Sequence, residues 1–282
     1  MKVTIYEVGP RDGLQSLKHV VPVEKRRELI QSLYNAGIKD IEEVSFVHPK
    51  ILPQMANAEE VFSGRGAALV LNRRGFDRAI TAGAEKINVV ISPCETFNLK
   101  NMGKRHGELL LTYRQFLNGY PKDKVRVYIS MAFGSPDSGI FTEKHLDIMV
   151  RDAKMLGDTV VFADTVGCAT HRDISMVADL AFKHGMIPAL HLHHRGDESR
   201  PISLIRAGLF AGIRQFDSSI AGLGGCPFAE GSGANLATET LNNHLKVWGF
   251  ETDIDERGLQ AATSIAREIK FLVPEIFYEL PA

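Results

Sequence analysis

The sequence has 282 residues, of which 44 % are hydrophobic and 24 % are charged, and its formal net charge is -1. This length and composition are typical of a globular protein with a sizeable core. The near-neutral charge, with basic residues spread along the chain, argues against a nucleic-acid partner, and no apolar run is long enough to cross a membrane.

Short β-branched runs alternate along the chain with amphipathic stretches at helical spacing. In chain order, the strands are predicted at residues 3–8, 39–46, 67–72, 86–92, 125–133, 159–164, 188–193 and 215–220. Most of the stretches between them show a helical pattern followed by glycine. The clearest covers residues 23–40, with Gly37 as the predicted C-cap.

Strand–helix units that repeat in this way predict a (β/α)₈ TIM barrel with extra C-terminal helices. Because no low-complexity linker divides the chain, residues 1–282 are predicted to form one domain. Residues 252–273 predict the additional helix, packed on the outside of the barrel or over its mouth. A doubly wound sheet is the alternative, but the Gly-x-Gly-x-x-Gly pattern after the first strand is missing.

Arg11 and Asp12 directly follow the first strand, between glycines and a proline. Residues just past the C-terminal ends of barrel strands line the active site in folds of this kind. An isolated Arg-Asp pair in a turn is more often an incidental surface ion pair. Similar polar residues at other strand ends favour the functional interpretation here.

Two histidines at the end of strand seven indicate a metal site. Strand alternation places His191 and His193 on one face and His194 on the other. A pair of hydrogen-bonded core histidines is the alternative. Asp12 adds a carboxylate and Asn235, after strand eight, adds an amide oxygen. This donor set fits Mg²⁺ or Mn²⁺ better than a closed structural zinc site.

Further ionisable residues lie near the strand ends. Only one of Glu42 and Glu43 can face inward from strand two, and Arg11 is the expected partner of a buried glutamate. Asp164 ends the apolar strand six. Cys226 lies in a glycine-rich stretch that is suited to close over a ligand, where an exposed thiol is expected to donate or accept a proton.

Several motifs together resemble one known family. They are VGPRDGLQ, FVHPKILPQMA, SPCETFNLKN, DTVG, the HLH pair and AGLGGCPFAEGSGANLATE. From Tyr6 to about residue 245, the chain resembles the 3-hydroxy-3-methylglutaryl-CoA lyases, which are metal-dependent TIM-barrel lyases. The resemblance implies retro-Claisen cleavage of an acyl-CoA substrate.

The resemblance also implies roles for individual residues. Asp12, His191, His193 and Asn235 are similar to the family's metal ligands. Arg11 would neutralise the thioester oxygen, and Glu42 would hold that arginine. Asp164 is similar to the second acidic residue of the site, and Cys226 to a lid cysteine that protonates the departing enolate.

The chain departs from the family pattern after the histidine pair. His194 and Arg195 stand where the family has an acidic residue followed by threonine and an aromatic, so they are candidate substrate contacts. Lys18, Asn98 and Lys100 lie near strand ends and are candidate contacts for CoA. The substrate is therefore predicted to be 3-hydroxy-3-methylglutaryl-CoA or a longer or differently branched relative.

Other functions remain open at this level. A 4-hydroxy-2-oxo acid aldolase shares the Arg-Asp and His-x-His elements, and a Claisen synthase shares the metal core. A non-catalytic ligand-binding barrel is the alternative from another class. A cytoplasmic protein is expected for two reasons. The N-terminus has no charged-then-apolar leader. The three cysteines cannot all pair, and disulfide bonds are unexpected in a cytosolic enzyme of this size. Barrels of this type often form homodimers, which is the expectation here by analogy.

Overall fold

Parallel strands form the centre of the fold in the computed structural model, which describes residues 1–224 and 233–272. Neighbouring strands pair in chain order, and β8 pairs with both β7 and β1, which closes the barrel. The strands are β1 Thr4–Glu7, β2 Asp40–Ser45, β3 Ala67–Leu69, β4 Lys86–Ile91, β5 Val125–Ile129, β6 Thr159–Asp164, β7 Ile187–His194 and β8 Gln215–Ser218. A short ninth strand, β9 Ala234–Asn235, pairs antiparallel with the end of β7.

Helices connect most of the strands and surround the barrel. They are α1 Val23–Asn35, α2 Ala58–Val61, α3 Arg73–Thr81, α4 Glu95–Met102, α5 His106–Phe116, α6 Glu143–Leu156, α7 His171–Lys183, α8 Ser199–Phe210, α9 Thr238–Val247 and α10 Glu256–Lys270. The predicted (β/α)₈ barrel with extra C-terminal helices is therefore confirmed. The additional helix, α10, lies outside the barrel against α1.

Local sequence signals explain where helices begin and end. Asn72 caps α3 by accepting a hydrogen bond from the backbone N–H of Gly75 at 2.9 Å. Gly37, after α1, has a φ of +88°, and a Cβ there would lie 2.5 Å from the Asp253 carbonyl oxygen. Glycine is therefore required at this turn for both its conformation and its small size.

The core lies between the barrel and the inner faces of its helices. Strand residues such as Ile87, Val127, Val160 and Leu190 are fully buried in it. β5 ends at Ile129, four residues before the predicted 133, although the apolar run continues. Met131 has a φ of 56°, so the backbone turns there while its side chain stays buried. No helix among the described residues is both long and apolar enough to span a bilayer.

The turn after β1 positions the first site residues. The N–H groups of Asp12 and Gly13 both donate to the Val8 carbonyl, at 2.7 and 3.2 Å, which forms a wide helical turn over Gly9–Gly13. The turn buries Arg11 and Asp12 at the C-terminal end of the barrel. Charged residues are buried in this way only when they have partners.

Candidate active site

The Arg11 guanidinium is held on two sides. Its Nε donates to a carboxylate oxygen of Glu42, and its Nη1 donates to Asp12 Oδ1 at 2.7 Å. Asn88 Nδ2 donates to the other Glu42 oxygen at 2.7 Å. Because Glu42 is fully buried, these bonds compensate a charge that would otherwise be strongly disfavoured.

Glu43 has a structural role on the opposite face of β2. It accepts hydrogen bonds from the backbone N–H of Ser63 at 2.7 Å and of Gly66 at 3.0 Å, and from the Tyr34 hydroxyl. Of the two neighbouring glutamates, only Glu42 reaches Arg11. This agrees with the alternation expected along the strand.

His191 and His193 face each other at the end of β7, with their Nε2 atoms 2.9 Å apart. The other ring nitrogen of each faces an oxygen. His191 Nδ1 lies 3.2 Å from Asp217 Oδ2, and His193 Nδ1 lies 3.0 Å from the Thr165 carbonyl oxygen. These oxygens accept hydrogen bonds, so each neutral ring has its proton on Nδ1 and a lone pair on Nε2.

The protonation of the two rings differs. Burial and the neighbouring His191 lower the pKa of His193 to about 4, so His193 is neutral at pH 7. Burial also lowers the pKa of His191, but the hydrogen bond and charge of Asp217 outweigh it and leave that pKa above its ordinary value. For Asp12, burial raises the pKa, but Arg11, the two histidines and the Asn235 amide together outweigh it, so the pKa lies below its usual range and the carboxylate is ionised.

Asn235 joins this cluster through β9. Its backbone pairs with His193 in the β7–β9 ladder. Its Nδ2 donates to Asp12 Oδ2 at 2.8 Å and to the Leu223 carbonyl at 3.0 Å. With the amide nitrogen engaged in this way, the amide oxygen is left as an acceptor beside the histidines.

This donor set fits a divalent cation. Ligand atoms of Asp12, His191 and His193 all lie within 4.8 Å of one another. Two neutral rings at this spacing direct both Nε2 lone pairs at one point, where either a proton on His191 or a metal ion relieves their repulsion. That spacing also matches two adjacent ligands on an ion roughly 2.1 Å from each.

A cavity of about 130 Å³ adjoins these residues and opens to solvent. Its polar lining includes Arg11, Asp12, Tyr128, Thr165, His191 and His193. The structure therefore brings together the arginine, the carboxylate and the histidine pair that the sequence predicts, around one space able to hold a small molecule.

The comparisons with known proteins agree with this arrangement. The HMGL-like family model matches residues 2–266. The chain belongs to the HMGL-like family. A mitochondrial hydroxymethylglutaryl-CoA lyase of Arabidopsis thaliana is 36 % identical over 92 % of this chain, which spans 58 % of that relative's length.

Two bacterial proteins extend the comparison of this HMGL-like chain. The 3-hydroxy-3-isohexenylglutaryl-CoA/hydroxy-methylglutaryl-CoA lyase of Pseudomonas aeruginosa is 35 % identical over 92 % of this chain and 89 % of its own. The solved structure of an HMG-CoA lyase from Acinetobacter baumannii, in complex with coenzyme A and 3-methylmalate, is 29 % identical. It covers 99 % of this chain and 98 % of its own, with a TM-score of 0.87.

Asp164 does not join the cluster in this HMGL-like protein. Its carboxylate accepts hydrogen bonds from the backbone N–H groups of Cys168 at 2.7 Å and Ala169 at 3.0 Å. The neighbouring Ala163 and Thr165 line the cavity instead. Asp164 therefore stabilises the loop after β6 and does not face the cavity.

The predicted CoA contacts lie outside the cavity lining. Lys18 and Lys100 are exposed, and Lys100 Nζ lies 3.7 Å from Asp137. Asn98 is buried, and its Nδ2 donates to the Ser92 carbonyl at 2.8 Å. That bond holds the Asn98 side chain against the loop before α4. The contacts of Asn98 and of the two lysines with CoA stay predictions.

The residues that depart from the family pattern also lie away from the cluster. His194 is half-buried, with Nε2 3.8 Å from Glu198 Oε1. Arg195 is exposed, and its Nε donates to the Val166 carbonyl at 3.2 Å. Cys226 lies outside the described residues. Substrate recognition by His194 and Arg195 stays a prediction.

The structure adds site residues that the sequence analysis did not single out. Gln15 lines the cavity, and its Nε2 donates to Asp12 Oδ1 at 3.0 Å. Asp217 supports His191, and Tyr128 donates to the same Asp217 oxygen at 2.8 Å. Gln15 lies three residues after Asp12, one helical turn along, and Asp217 is a charged residue within a buried strand. The helical spacing of Gln15 from Asp12 and the charge of Asp217 within an apolar strand could both have indicated site residues from the sequence.

Proposed function

We propose that this chain is a metal-dependent carbon–carbon lyase that cleaves 3-hydroxy-3-methylglutaryl-CoA, or a related 3-hydroxyacyl-CoA, to acetyl-CoA or another acyl-CoA and a keto acid such as acetoacetate. The observation that supports it most is the fixed Arg11 guanidinium beside Asp12 and the histidine pair in one cavity. Membership of the HMGL-like family and the names of the bacterial relatives point to the same reaction.

The reaction breaks the bond between C2 and C3 of the substrate. The 3-hydroxyl oxygen loses its proton and becomes the ketone oxygen of the keto acid. The electron pair of the broken bond remains on the acyl-CoA as an enolate, whose oxygen is the former thioester oxygen. The enolate then gains one proton at C2. The site must therefore orient the hydroxyl, stabilise negative charge on the enolate oxygen and deliver a proton.

Asp12, His191, His193 and Asn235 would hold the cation, which we propose is Mg²⁺ or Mn²⁺. When bound, such an ion supplies Lewis-acid chemistry that makes a hydroxyl group more acidic. Asp12 is suited to this task because Arg11 and the other neighbouring polar groups together lower its pKa despite burial, which keeps it ionised. Asp217 and the Thr165 carbonyl keep the Nε2 lone pairs of the two histidines turned toward the same point.

Arg11 would stabilise the enolate. Its Nε and Nη1 are engaged by Glu42 and Asp12, whereas Nη2 makes no hydrogen bond to the described residues. A guanidinium fixed in this way needs no reorganisation when negative charge develops beside it. One such preorganised donor can contribute roughly 3–4 kcal/mol to catalysis. Glu42 is a positioning residue in this scheme.

The proton donor is proposed from the sequence. Cys226 is a thiol in a glycine-rich stretch that returns to the site at Asn235. We propose that it protonates C2 of the enolate. In a Cys226→Ala variant, metal binding should persist while turnover falls. A variant that retains full turnover would assign the proton to another group.

Three further expectations, on domain organisation, oligomeric state and cellular compartment, accompany this function. We propose that residues 1–282 act as one lyase domain, that the protein forms a homodimer and that it works in the cytoplasm. The acyl-CoA is the proposed partner, and the near-neutral charge gives no reason to expect nucleic acid or a membrane. Light scattering of the purified full chain would measure the oligomeric state directly.

The deciding experiment uses the purified full chain with 3-hydroxy-3-methylglutaryl-CoA and added Mg²⁺ or Mn²⁺. Acetyl-CoA release is followed, with an EDTA-treated sample as control. Metal-dependent turnover above about 1 s⁻¹ would place the protein in the usual range for enzymes. Cleavage of a 4-hydroxy-2-oxo acid in place of the thioester would instead support the aldolase alternative.

A further inference from the structure

Asn88 is a polar residue at a position where the interior of a barrel usually holds a hydrocarbon side chain. It lies on β4, is 1 % exposed, and its side chain reaches Glu42 and Tyr6 inside the barrel. Barrel interiors are filled mainly by Val, Ile and Leu, and asparagine is a poor strand former. A buried amide also loses free energy unless it is hydrogen-bonded. The benefit of asparagine here therefore comes from its hydrogen bonds.

The amide nitrogen of Asn88 has two partners on strands other than its own. Nδ2 donates to Glu42 Oε1 at 2.7 Å and to the Tyr6 hydroxyl oxygen at 3.0 Å. An inverted amide would turn Oδ1 toward the Glu42 carboxylate, so that two acceptors would face each other. Glu42 thus fixes the orientation of the amide. The amide in turn connects β4 to β2 and β1, neither of which pairs with β4.

Tyr6 is a fixed partner for this amide. Its side chain is buried, and the Arg126 guanidinium lies 4.0 Å from the centroid of its ring, which is within the range of a cation–π interaction. Arg126 itself donates to Asp217 and, at 2.7 Å, to Gln215. Because Tyr6 and Arg126 are both buried and engaged, the Asn88 amide is attached to a rigid part of the barrel interior.

Glu42 depends on Asn88 for one of its two oxygens. Within residues 1–224 and 233–272, Oε1 accepts a hydrogen bond only from Asn88, and Oε2 only from Arg11. Burial raises the pKa of Glu42, and the Arg11 charge and the Asn88 hydrogen bond oppose that rise. Without Asn88, one oxygen of a buried carboxylate loses its partner, and the carboxylate is free to rotate about its terminal bond. A partly satisfied buried network of this kind is unfavourable.

The orientation of Arg11 depends on Glu42 in turn. Arg11 Nη1 donates to Asp12, which is a proposed metal ligand, so Glu42 is the anchor of the guanidinium that lies outside the proposed metal site. If the Glu42 carboxylate rotates, the guanidinium can turn with it. That movement would displace Nη2, the group that is proposed to face the enolate.

We propose that Asn88 is a positioning residue of the lyase reaction, which acts through Glu42 to hold the Arg11 guanidinium where the enolate forms. This inference rests on the proposed lyase function. Asn88 does not line the cavity and bonds to none of the proposed metal ligands, so its effect on turnover passes through Glu42 and Arg11.

The first test is Asn88→Leu, which removes the amide hydrogen bonds at nearly constant volume. The kcat of the full chain with Mn²⁺ should fall about 10- to 100-fold, because a small displacement of an oriented catalytic group has an effect of this size. KM should change by about threefold at most, and the Kd for Mn²⁺ by about twofold at most. An unchanged kcat in the folded variant would overturn the inference.

Asn242→Leu is the matched control. Asn242 is also buried, on α9, and its Oδ1 accepts a hydrogen bond from Thr252 Oγ1 at 2.6 Å, away from the cavity lining. Its kcat should equal that of wild type even where its Tm is lower. Equal losses of kcat in the two leucine variants would show that kcat follows stability and would overturn the inference.

A double variant tests whether Asn88 acts through Arg11. In Arg11→Lys the fixed guanidinium is already missing, so adding Asn88→Leu should lower kcat by about twofold at most. Residues that act on the same group are non-additive in this way. An equal fall in kcat in both backgrounds would show that Asn88 acts elsewhere and would overturn the inference.

Nuclear magnetic resonance of the Arg11 Nε–H tests the positioning without turnover. The signal is identified by its absence from Arg11→Lys, and it should exchange with water faster in Asn88→Leu than in wild type. No cleavage by the wild-type chain would overturn the lyase function, and the exchange rate would then still decide whether Asn88 positions Arg11. An unchanged exchange rate would overturn the inference in either case.

Discussion

Asp217 offers the sharpest test of how the site is built. It is buried, its Oδ2 lies 3.2 Å from His191 Nδ1, and its Oδ1 accepts a hydrogen bond from Arg126 Nη2. Asp217→Ala removes the acceptor that fixes the His191 tautomer and also the counter-charge of Arg126. We expect weaker metal binding and lower stability from this one change.

The two effects have different sizes and different causes. Loss of an outer hydrogen-bond partner of a metal-binding histidine typically weakens metal affinity by about 10- to 100-fold. Removing one member of a buried ion pair typically costs about 3–5 kcal/mol. Arg126 retains a hydrogen bond to Gln215 at 2.7 Å and lies 4.0 Å above the Tyr6 ring, so we expect a loss of about 3 kcal/mol.

Calorimetric titration with Mn²⁺ measures the affinity, and urea unfolding measures the stability. Asp77→Ala, at an exposed aspartate of α3 paired with Arg73, is the matched control and should change neither quantity appreciably. In an Arg126→Met/Asp217→Ala double variant, stability should recover while metal affinity stays low. A Kd for Mn²⁺ within twofold of wild type in Asp217→Ala would refute the positioning role.

Three further predictions follow from buried polar groups. Arg11→Lys should lower kcat about 100-fold or more with a smaller change in KM, because an ammonium cannot reproduce the fixed guanidinium; steady-state kinetics checks this, and near-normal kcat would contradict it. Ser45 Oγ is buried in the cavity lining with no hydrogen-bond partner among the described residues, so Ser45→Ala should lower kcat/KM about five- to tenfold without lowering Tm. Loss of Tm with unchanged kinetics would show that the hydroxyl is structural. Burial raises the pKa of Glu7 from 4.5 to about 7, so the stability from this group is fully present below pH 4.5 and is lost as pH rises through 7. As pH rises from 5 to 7, Glu7→Gln should therefore gain stability relative to wild type by up to about 1.4 kcal/mol per pH unit. Free energies of unfolding in urea that depend on pH in the same way in both proteins would contradict this.

The barrel was predictable because its strands are short, β-branched and buried on both faces. Strand β6, for instance, has the predicted bounds of 159–164. Strand ends were less predictable. The apolar run after Ile129 is buried although it is no longer a strand, because the backbone turns at Met131. The two-residue β9 has no periodicity that a pattern could reveal.

Alternation along strands accounts for which of the predicted site residues the structure brings together. The rule was applied to His191 and His193, and both face the cluster. Applied to β6, the same rule would have placed Asp164 on the face opposite Ala163 and Thr165, as the structure does. Asp217 could be suspected as a buried charge, but its pairing with His191 depends on the closure of β7 against β8, which a linear pattern does not contain.

The buried charges of the site also bear on the order in which ligands bind. When both histidines are neutral, as metal binding requires, two guanidinium groups, of Arg11 and Arg126, face the carboxylates of Asp12, Glu42 and Asp217, which leaves one negative charge unbalanced. A divalent ion beside the histidines would reverse that sign, and the free carboxylate of a glutaryl thioester would then restore neutrality. Because unbalanced charge is costly in a poorly solvated interior, electrostatics favours an ordered sequence in which the ion enters first and the anionic thioester second.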